Sequence, residues 1–228
     1  MHVSTDDEVY GESSFELDSS NKNASFLAPT NPYAATKAGA EMLVMAYGRS
    51  YNLPFIITRG NNVYGPRQYP EKAIPKFVIL ASMGDKLSIH GDGLATRSYM
   101  HVHDAVSAFD VILHRGQISH IYNIGAHVER TVLSVAQDIC DILHRDPSEA
   151  ITHVRDRAFN DRRYFIDCSK LLALGWKQKV TWEQGLKETV HWYCTEDLVS
   201  HWGDFTTALK AQPLAFGRNT TLSSPKDC

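Results

Sequence analysis

Tyr33 and Lys37 stand one helical turn apart in Asn31-Pro-Tyr-Ala-Ala-Thr-Lys37, so on a helix their side chains share a face. A phenol with a pKa of about 10 is a poor base at neutral pH, but an adjacent ammonium favours the phenolate. Such a pair can accept a proton from a substrate hydroxyl; a bare Tyr-x-x-x-Lys also occurs by chance on ordinary surface helices. The second group is Thr5-Asp6-Asp7-Glu8, at the end of a candidate strand. Two carboxylates held together push their pKa values apart, so one can give a proton while the other takes one. The bland reading is a solvated turn, and the strand end, where ligands of α/β folds lie, shifts the balance toward chemistry. Polar residues at turns form a third group. Asn61, Asn62 and Lys72 flank Gly65-Pro66, Arg97 follows Gly91-Asp-Gly93, and Arg157, Asn160, Asp161, Arg162 and Arg163 precede Tyr164. Arginines suit bidentate contacts to diphosphate oxygens, while a dense charged stretch is more commonly a solvated face. His101-Val-His103 has no third ligand at metal spacing and there is no His-Glu-x-x-His, so the histidines read as ordinary and no metal is expected.

The elements that position these groups alternate. Met1 to Thr5 reads as a strand running into a polar turn, and residues 12–29 as a loop. Asn31 as N-cap and Pro32 at the first helical position open a helix over about Tyr33 to Ser50. Its apolar residues go nearly all the way round, which predicts burial on more than one side. Leu53 to Thr58, Leu87 to His90 and Ile121 to Ile124 read as strands. Helices are predicted over Ile74 to Met83, around Ala105 to Leu113, around Val132 to Leu143, and over Asp167 to Leu174 before Gly175. A capping box at Thr181-Trp-Glu-Gln184 opens another, to about Glu196. Residues 212–228 carry no periodicity and read as a loose tail. Strand–helix alternation favours an α/β fold with a largely parallel sheet, but only two or three sheet strands are legible, too few for a complete doubly wound sheet.

Length and composition set the outer limits. The chain of 228 residues suits one or two domains. Its 43% hydrophobic and 21% charged residues exclude wholesale disorder. A net charge of -3 argues against a dedicated nucleic-acid binder. No apolar run approaches the roughly 18 residues of a membrane span, and the first residues, with neither a basic stretch nor an apolar run, do not read as a signal peptide. Cys140, Cys168, Cys194 and Cys228 are scattered without a Cys-x-x-Cys, which points to a reducing cytoplasm.

In order, Val3-Ser-Thr-Asp-Asp-Glu-Val-Tyr-Gly11, Asn31-Pro-Tyr-Ala-Ala-Thr-Lys37, Asn61-Asn-Val-Tyr-Gly-Pro66, Pro70-Glu-Lys72, Tyr122-Asn-Ile-Gly125, Asp156-Arg157, Asn160-Asp-Arg-Arg-Tyr164 and Leu174-Gly-Trp176 resemble the nucleotide-sugar 4,6-dehydratases of the extended short-chain dehydrogenase/reductase family. The resemblance runs from residue 2 to about 195. Ala38 to Tyr47 and Thr58 to Val63 look most like UDP-glucose 4,6-dehydratases, the N-terminal module of plant-type rhamnose synthases, with the dTDP-glucose enzymes next.

The resemblance implies the C-terminal part of a Rossmann-like doubly wound parallel sheet plus a smaller α/β substrate-binding region. Residues 1–66, joined by about 98–126, would belong to the dinucleotide-binding part and 67–210 mainly to the substrate part, with 211–228 a tail. It further implies NAD as cofactor, a nucleotide-sugar substrate and a homodimer built on the 33–50 helix through Met42, Met45 and Ala46. Tyr33, helped by Lys37 and Thr5, would take the proton of the sugar 4-hydroxyl, Tyr33 and Lys37 also meeting the cofactor. Glu8 would remove the C5 proton and Asp7 would protonate the departing 6-hydroxyl. Asn62, Lys72, Arg97, Asn123, Arg157 and Asn160 would line the nucleotide-sugar site. The family shows Thr-Asp-Glu where this chain has Thr-Asp-Asp-Glu, so the register could make the pair Asp7 and Glu8 or Asp6 and Asp7. A one-residue insertion turns side chains to the other face unless a bulge absorbs it. The family's glycine-rich turn is not found in these residues, and the chain by itself is expected to be inactive or nearly so. The competing readings are a 4-epimerase or decarboxylase, which needs no carboxylate pair for elimination at C5, and a non-catalytic fragment that binds a nucleotide sugar or pairs with a partner.

Overall fold

A computed structural model describes residues 2–11, 27–126, 128–156 and 166–211, with residues 6 and 7 described by backbone alone. Strand β1 (His2–Asp6) passes through a 3-10 turn (Asp7–Tyr10), and helix α1 (Pro32–Tyr51) follows. Next come β2 (Ile56–Gly60), β3 (Asn62–Tyr64), α2 (Ala73–Ser82), β4 (Leu87–His90) and β5 (Thr96–His101). Strand β5 runs directly into α3 (Val102–Arg115), before β6 (Ile121–Ile124) and β7 (Glu129–Thr131). Helices α4 (Val132–Ile142) and α5 (Pro147–Ala150), strand β8 (Ile151–Val154) and helix α6 (Ser169–Ala173) follow. Helices α7 (Trp182–Thr195), α8 (Leu198–Trp202) and α9 (Thr206–Leu209) complete the described chain.

Helix α1 starts where its sequence says it should. The Asn31 side chain accepts from the Ala34 amide at 2.8 Å, and Pro32 gives up a donor the first turn does not need. Thr181 and Gln184 complete the reciprocal capping box of α7. Pro54 lies ahead of β2, and the strand begins only at Ile56, two residues beyond a position that lacks an amide donor.

The sheet has three parallel strands in the order β1-β2-β6, with Thr5 opposite Arg59 and Arg59 opposite Asn123. Alternation along β2 divides its two faces: Ile57 packs with Val44 of α1 and Phe55, while Ile56 packs on the α3 side with Ala108, Ile112 and Tyr122. Gly48 of α1 is required for this contact, because a Cβ there would lie 2.3 Å from the Phe55 ring. A second small sheet joins β3 to β5 in parallel and β5 to β7 antiparallel, and β4 pairs with β8 in parallel. The largest core gathers Phe77, Val78 and Leu80 of α2 with Leu87, Ile89, Val135, Ile139, Leu186 and Val190. Helix α2 is buried from Ile74 through Ala81, as befits a helix enclosed by α4 and α7. Strands β3, β5 and β7 are too short or too polar to show in the sequence pattern, and partner strands, not periodicity, make them; β8 is also missing from the sequence reading, although it matches its partner β4 in length.

One expectation is corrected here. The described residues bury α1 along a single stripe, Ala34, Ala38, Glu41 and Val44, while Met42, Leu43, Tyr47 and Tyr51 are exposed. These four leave apolar surface of α1 uncovered by the described residues of the single chain. The expected loop over 12–29 and tail over 212–228 lie wholly or largely outside the described residues.

That stripe contains a charge. Glu41 has no exposed side-chain surface and pairs with Arg59 of β2, whose Nη2 lies 2.6 Å from Oε2 and whose Nε donates to Oε1 at 3.0 Å. Removing one member of a buried pair strands the other. Glu41→Ala is therefore expected to destabilise the protein by about 3–5 kcal/mol. The double replacement Glu41→Leu with Arg59→Met should cost clearly less than the single one, and urea unfolding of the three proteins checks the order.

Candidate active site

The carboxyl end of β1 carries the first predicted group. Thr5 is buried, and its hydroxyl lies 2.5 Å from Glu41 Oε1 and 3.2 Å from the Thr58 carbonyl oxygen. One hydroxyl proton serves one of these two acceptors, so toward any third group Thr5 can only accept. Asp6 ends the strand opposite Gly60 and Asp7 opens the 3-10 turn; their side chains lie outside the described residues. The turn Asp7–Tyr10 takes up Glu8 together with Val9 and Tyr10.

Glu8 is half-buried, and its Oε2 accepts from Asn31 Nδ2 at 2.9 Å. Asn31 therefore does two things at once: Oδ1 caps α1 and Nδ2 holds Glu8. A carboxylate beside a helix N-terminus is electrostatically favoured. The sequence showed Asn31 only as a cap. Tyr33 lies in the first turn of α1 and is 51% exposed, with Lys37 Nζ 5.4 Å from its ring centre. That is cation–π range, and it brings a positive charge to the phenol.

A cleft of about 320 Å³ opens beside this turn. Glu8, Asn62, Lys72 and Arg97 all line it, with Gln68, Glu71, His90 and Tyr99. Four predicted residues from four separate parts of the chain thus face one space: the turn after β1, strand β3, the N-cap of α2 and strand β5. Its size falls in the range of small-molecule sites. Arg97 donates from Nη1 to the Thr96 carbonyl at 2.8 Å, which helps fix the guanidinium on its strand. Tyr33, Lys37 and Asn123 do not line this cleft. The Asn123 amide is used at both ends, accepting from Tyr10 Oη at 2.9 Å and donating to the Asp167 carbonyl at 2.9 Å. Arg157 and Asn160, with Asp161, Arg162 and Arg163, lie outside the described residues.

Tyr64 and Tyr99 were not found by sequence reasoning. They line the cleft and also a second cavity of about 240 Å³ that includes Arg130 and Trp182. Burial pushes the Tyr99 phenol up to about 12, with Arg97 opposing, and burial raises Tyr64 as well. Both stay protonated at neutral pH and serve as walls and donors, not bases. Alternation within β5 puts Tyr99 on the same strand face as Arg97, a signal that only a recognised strand makes readable.

The profile of the GDP-mannose 4,6 dehydratase family matches residues 1–189. Among known proteins, the chain is 56% identical over 213 residues to a trifunctional UDP-glucose 4,6-dehydratase/UDP-4-keto-6-deoxy-D-glucose 3,5-epimerase/UDP-4-keto-L-rhamnose-reductase of Arabidopsis thaliana, covering 93% of this chain and 32% of that protein. It is 42% identical over 219 residues to the human dTDP-D-glucose 4,6-dehydratase, covering 94% of this chain and 61% of that one. The crystal structure of dTDP-glucose 4,6-dehydratase from Bacillus anthracis in complex with NAD superposes with a TM-score of 0.82 at 40% identity, over 92% of this chain and 64% of that one. The Streptomyces venezuelae dTDP-glucose 4,6-dehydratase with NAD and TYD bound gives 0.79 at 39% identity, over 84% and 58%. The chain thus spans about a third of the plant protein and roughly three fifths of the others.

Among the described residues, three lysines and arginines line the cleft: Lys76 donates to the Lys210 carbonyl, while Lys72 and Arg97 suit an anionic ligand with charge-assisted bonds worth about 1.5–3 kcal/mol each. Calorimetry with inorganic pyrophosphate should show Lys72→Ala and Arg97→Ala each weakening binding by about 10- to 100-fold, with a shallower dependence on salt.

Proposed function

This chain belongs to the GDP-mannose 4,6-dehydratase family, and from that premise we propose that it serves NAD-dependent dehydration of UDP-glucose to the 4-keto-6-deoxy sugar. The observation that carries the reading is the cleft that gathers Glu8, Asn62, Lys72 and Arg97, with Glu8 tied through Asn31 to the helix start that bears Tyr33 and Lys37. The choice of UDP over dTDP rests on the higher identity to the plant protein.

Residues 1–66 with about 98–126 form the cofactor side in this reading, and 67–210 the substrate side. Tyr33 and Lys37 fit the cofactor: a half-exposed phenol and an ammonium beside its ring, at an open helix start, suit ribose hydroxyls. When bound, NAD supplies the oxidant for C4 and the reductant for C6. Tyr33 takes the proton of the sugar 4-hydroxyl, with Lys37 stabilising the phenolate and Thr5 accepting a hydrogen bond. The 4-ketone acidifies the C5 position. Glu8 removes the C5 proton, and Asp7 protonates the 6-hydroxyl, which leaves as water. Asn62, Lys72 and Arg97, with Arg157 and Asn160, hold the nucleotide sugar. Asn123 acts as a positioning residue, because both ends of its amide already fix Tyr10 and Asp167. A 4-epimerase has no use for a carboxylate poised for C5, and Glu8 on the cleft therefore favours the dehydratase.

The exposed stripe of Met42, Leu43, Tyr47 and Tyr51 supports a homodimer through α1. Met45 packs inward with Phe55 and Ile57, so the outward residues carry the contact. The buried, reduced thiols Cys140 and Cys168 suit the reducing cytoplasm. Among the described residues, no helix is long and apolar enough to cross a membrane.

In a chain extended to the length of the dTDP-glucose 4,6-dehydratases it matches, given UDP-glucose and NAD, Tyr33→Phe is expected to lose at least about 100-fold in turnover while UDP-glucose binding holds within about twofold. Glu8→Gln should abolish exchange of the C5 hydrogen with heavy water, read by mass spectrometry; wild-type exchange in that variant would sink the assignment. For the assembly, Met42→Glu with Tyr47→Glu should halve the mass seen by light scattering, and an unchanged mass would remove α1 from the interface.

A further inference from the structure

His101 closes β5 and caps α3, and its side chain is 1% exposed. Both ring nitrogens are buried and neither has a hydrogen-bond partner. Buried imidazoles normally bond through at least one nitrogen, so this ring calls for an explanation. Its walls are built to leave it room. The Tyr64 ring stands edge-on at 5.3 Å, a Cβ at Gly185 would lie 2.9 Å from His101 Cδ2, and one at Gly65 would lie 3.3 Å from Nε2.

The polar neighbours lie on one side. Glu188 of α7 places Oε2 at 3.9 Å from His101 Nε2, too far for a hydrogen bond. The His103 ring lies 5.0 Å away, perpendicular to His101. Each residue offers one ligand atom, and the three atoms all lie within 4.8 Å of one another. Around a four-coordinate zinc with bonds of about 2.0–2.2 Å, ligand atoms sit roughly 3.4 Å apart. His103 and Glu188 are exposed, so small side-chain rotations bring them in, while the buried His101 stays where the core holds it. The spacing along the chain hid this group, because its third member lies on a helix far downstream of the other two.

We propose that His101, His103 and Glu188 form a binding site for a divalent transition-metal ion of the zinc class. Two imidazoles and one carboxylate are the donors such ions prefer, whereas calcium and magnesium favour all-oxygen sets. The exposed side leaves room for water as the remaining ligand. The positive end of α3 works against a cation here, and Glu188 with Asp104 in the first turn supplies the opposing charge. A bound ion would bridge the start of α3 to α7, which already meet through Asp104, whose carboxylate accepts from the Lys179 and Val180 amides just ahead of α7. This site is independent of the dehydratase reading.

The test is calorimetric titration of the metal-stripped, untagged protein with Zn²⁺, repeated with Co²⁺ as a spectroscopic probe. Wild type should bind one equivalent and give the visible d–d bands of low-coordinate cobalt. His103→Ala and Glu188→Gln, both at exposed positions, should keep the wild-type circular dichroism, weaken binding by at least about 100-fold and lose the bands. His114→Ala, on the exposed end of α3, should change neither. With 11 histidines in the chain, adventitious binding is a definite alternative outcome. Weak binding at several sites that Glu188→Gln leaves unaltered, or no binding at all, would overturn the proposal.

Discussion

The buried pair of Glu41 and Arg59 is the interaction on which the placement of the chemistry depends. It joins the middle of α1 to the middle of the parallel sheet, and Thr5 of β1 bonds to the same carboxylate. The Arg59 guanidinium also lies 4.5 Å above the Tyr10 ring, in the turn that carries Glu8. Burial opposes the Arg59 charge, and its hydrogen bonds and charge contacts with Glu41 and Tyr10 outweigh that, so its pKa is raised. A pair like this adds little net stability over an apolar contact, but it tolerates few alternative geometries. It sets how α1 lies on β1 and β2, and so where the first turn of α1 meets the end of β1.

From that junction the site extends by short polar links. Asn31 connects the helix cap to Glu8, and Tyr10 connects the same turn to Asn123 on β6. Asn123 passes the connection on to Asp167, at the start of the segment that leads into α6. Across the cleft, Lys72 and Arg97 stand on elements anchored in a separate and larger core. The cleft therefore brings the turn after β1 against residues on the elements of that core.

Much of the fold was legible because local chemistry and tertiary environment agree. Asn31-Pro32 and the Thr181 capping box start their helices as expected, and Ile121–Ile124 is a strand with the bounds its residues suggest. The missing strands failed for a common reason. Asn62–Tyr64, Thr96–His101 and Glu129–Thr131 carry mixed polar residues with weak intrinsic preference, and they become strands by pairing with one another. Helix α1 is the opposite case, since its apolar surface exceeds what the described residues of the single chain cover.

The sequence by itself determined the types of chemistry present: a phenol and an ammonium one turn apart, acids at a strand end, and cations at turns. Order and spacing along the chain carry that much, since a helical turn or a strand end is a local matter. They cannot carry distance between segments. Only the tertiary structure decided that Glu8, Asn62, Lys72 and Arg97 share a cleft while the Asn123 amide is spent inside the protein. It alone brought Glu188 to His101 and His103, and it alone gave Asn31 a second bond. The physical reason is the same each time. Packing of helices on sheets sets distances between segments, and a hydrogen bond or ligand contact depends on those distances to within a few tenths of an ångström.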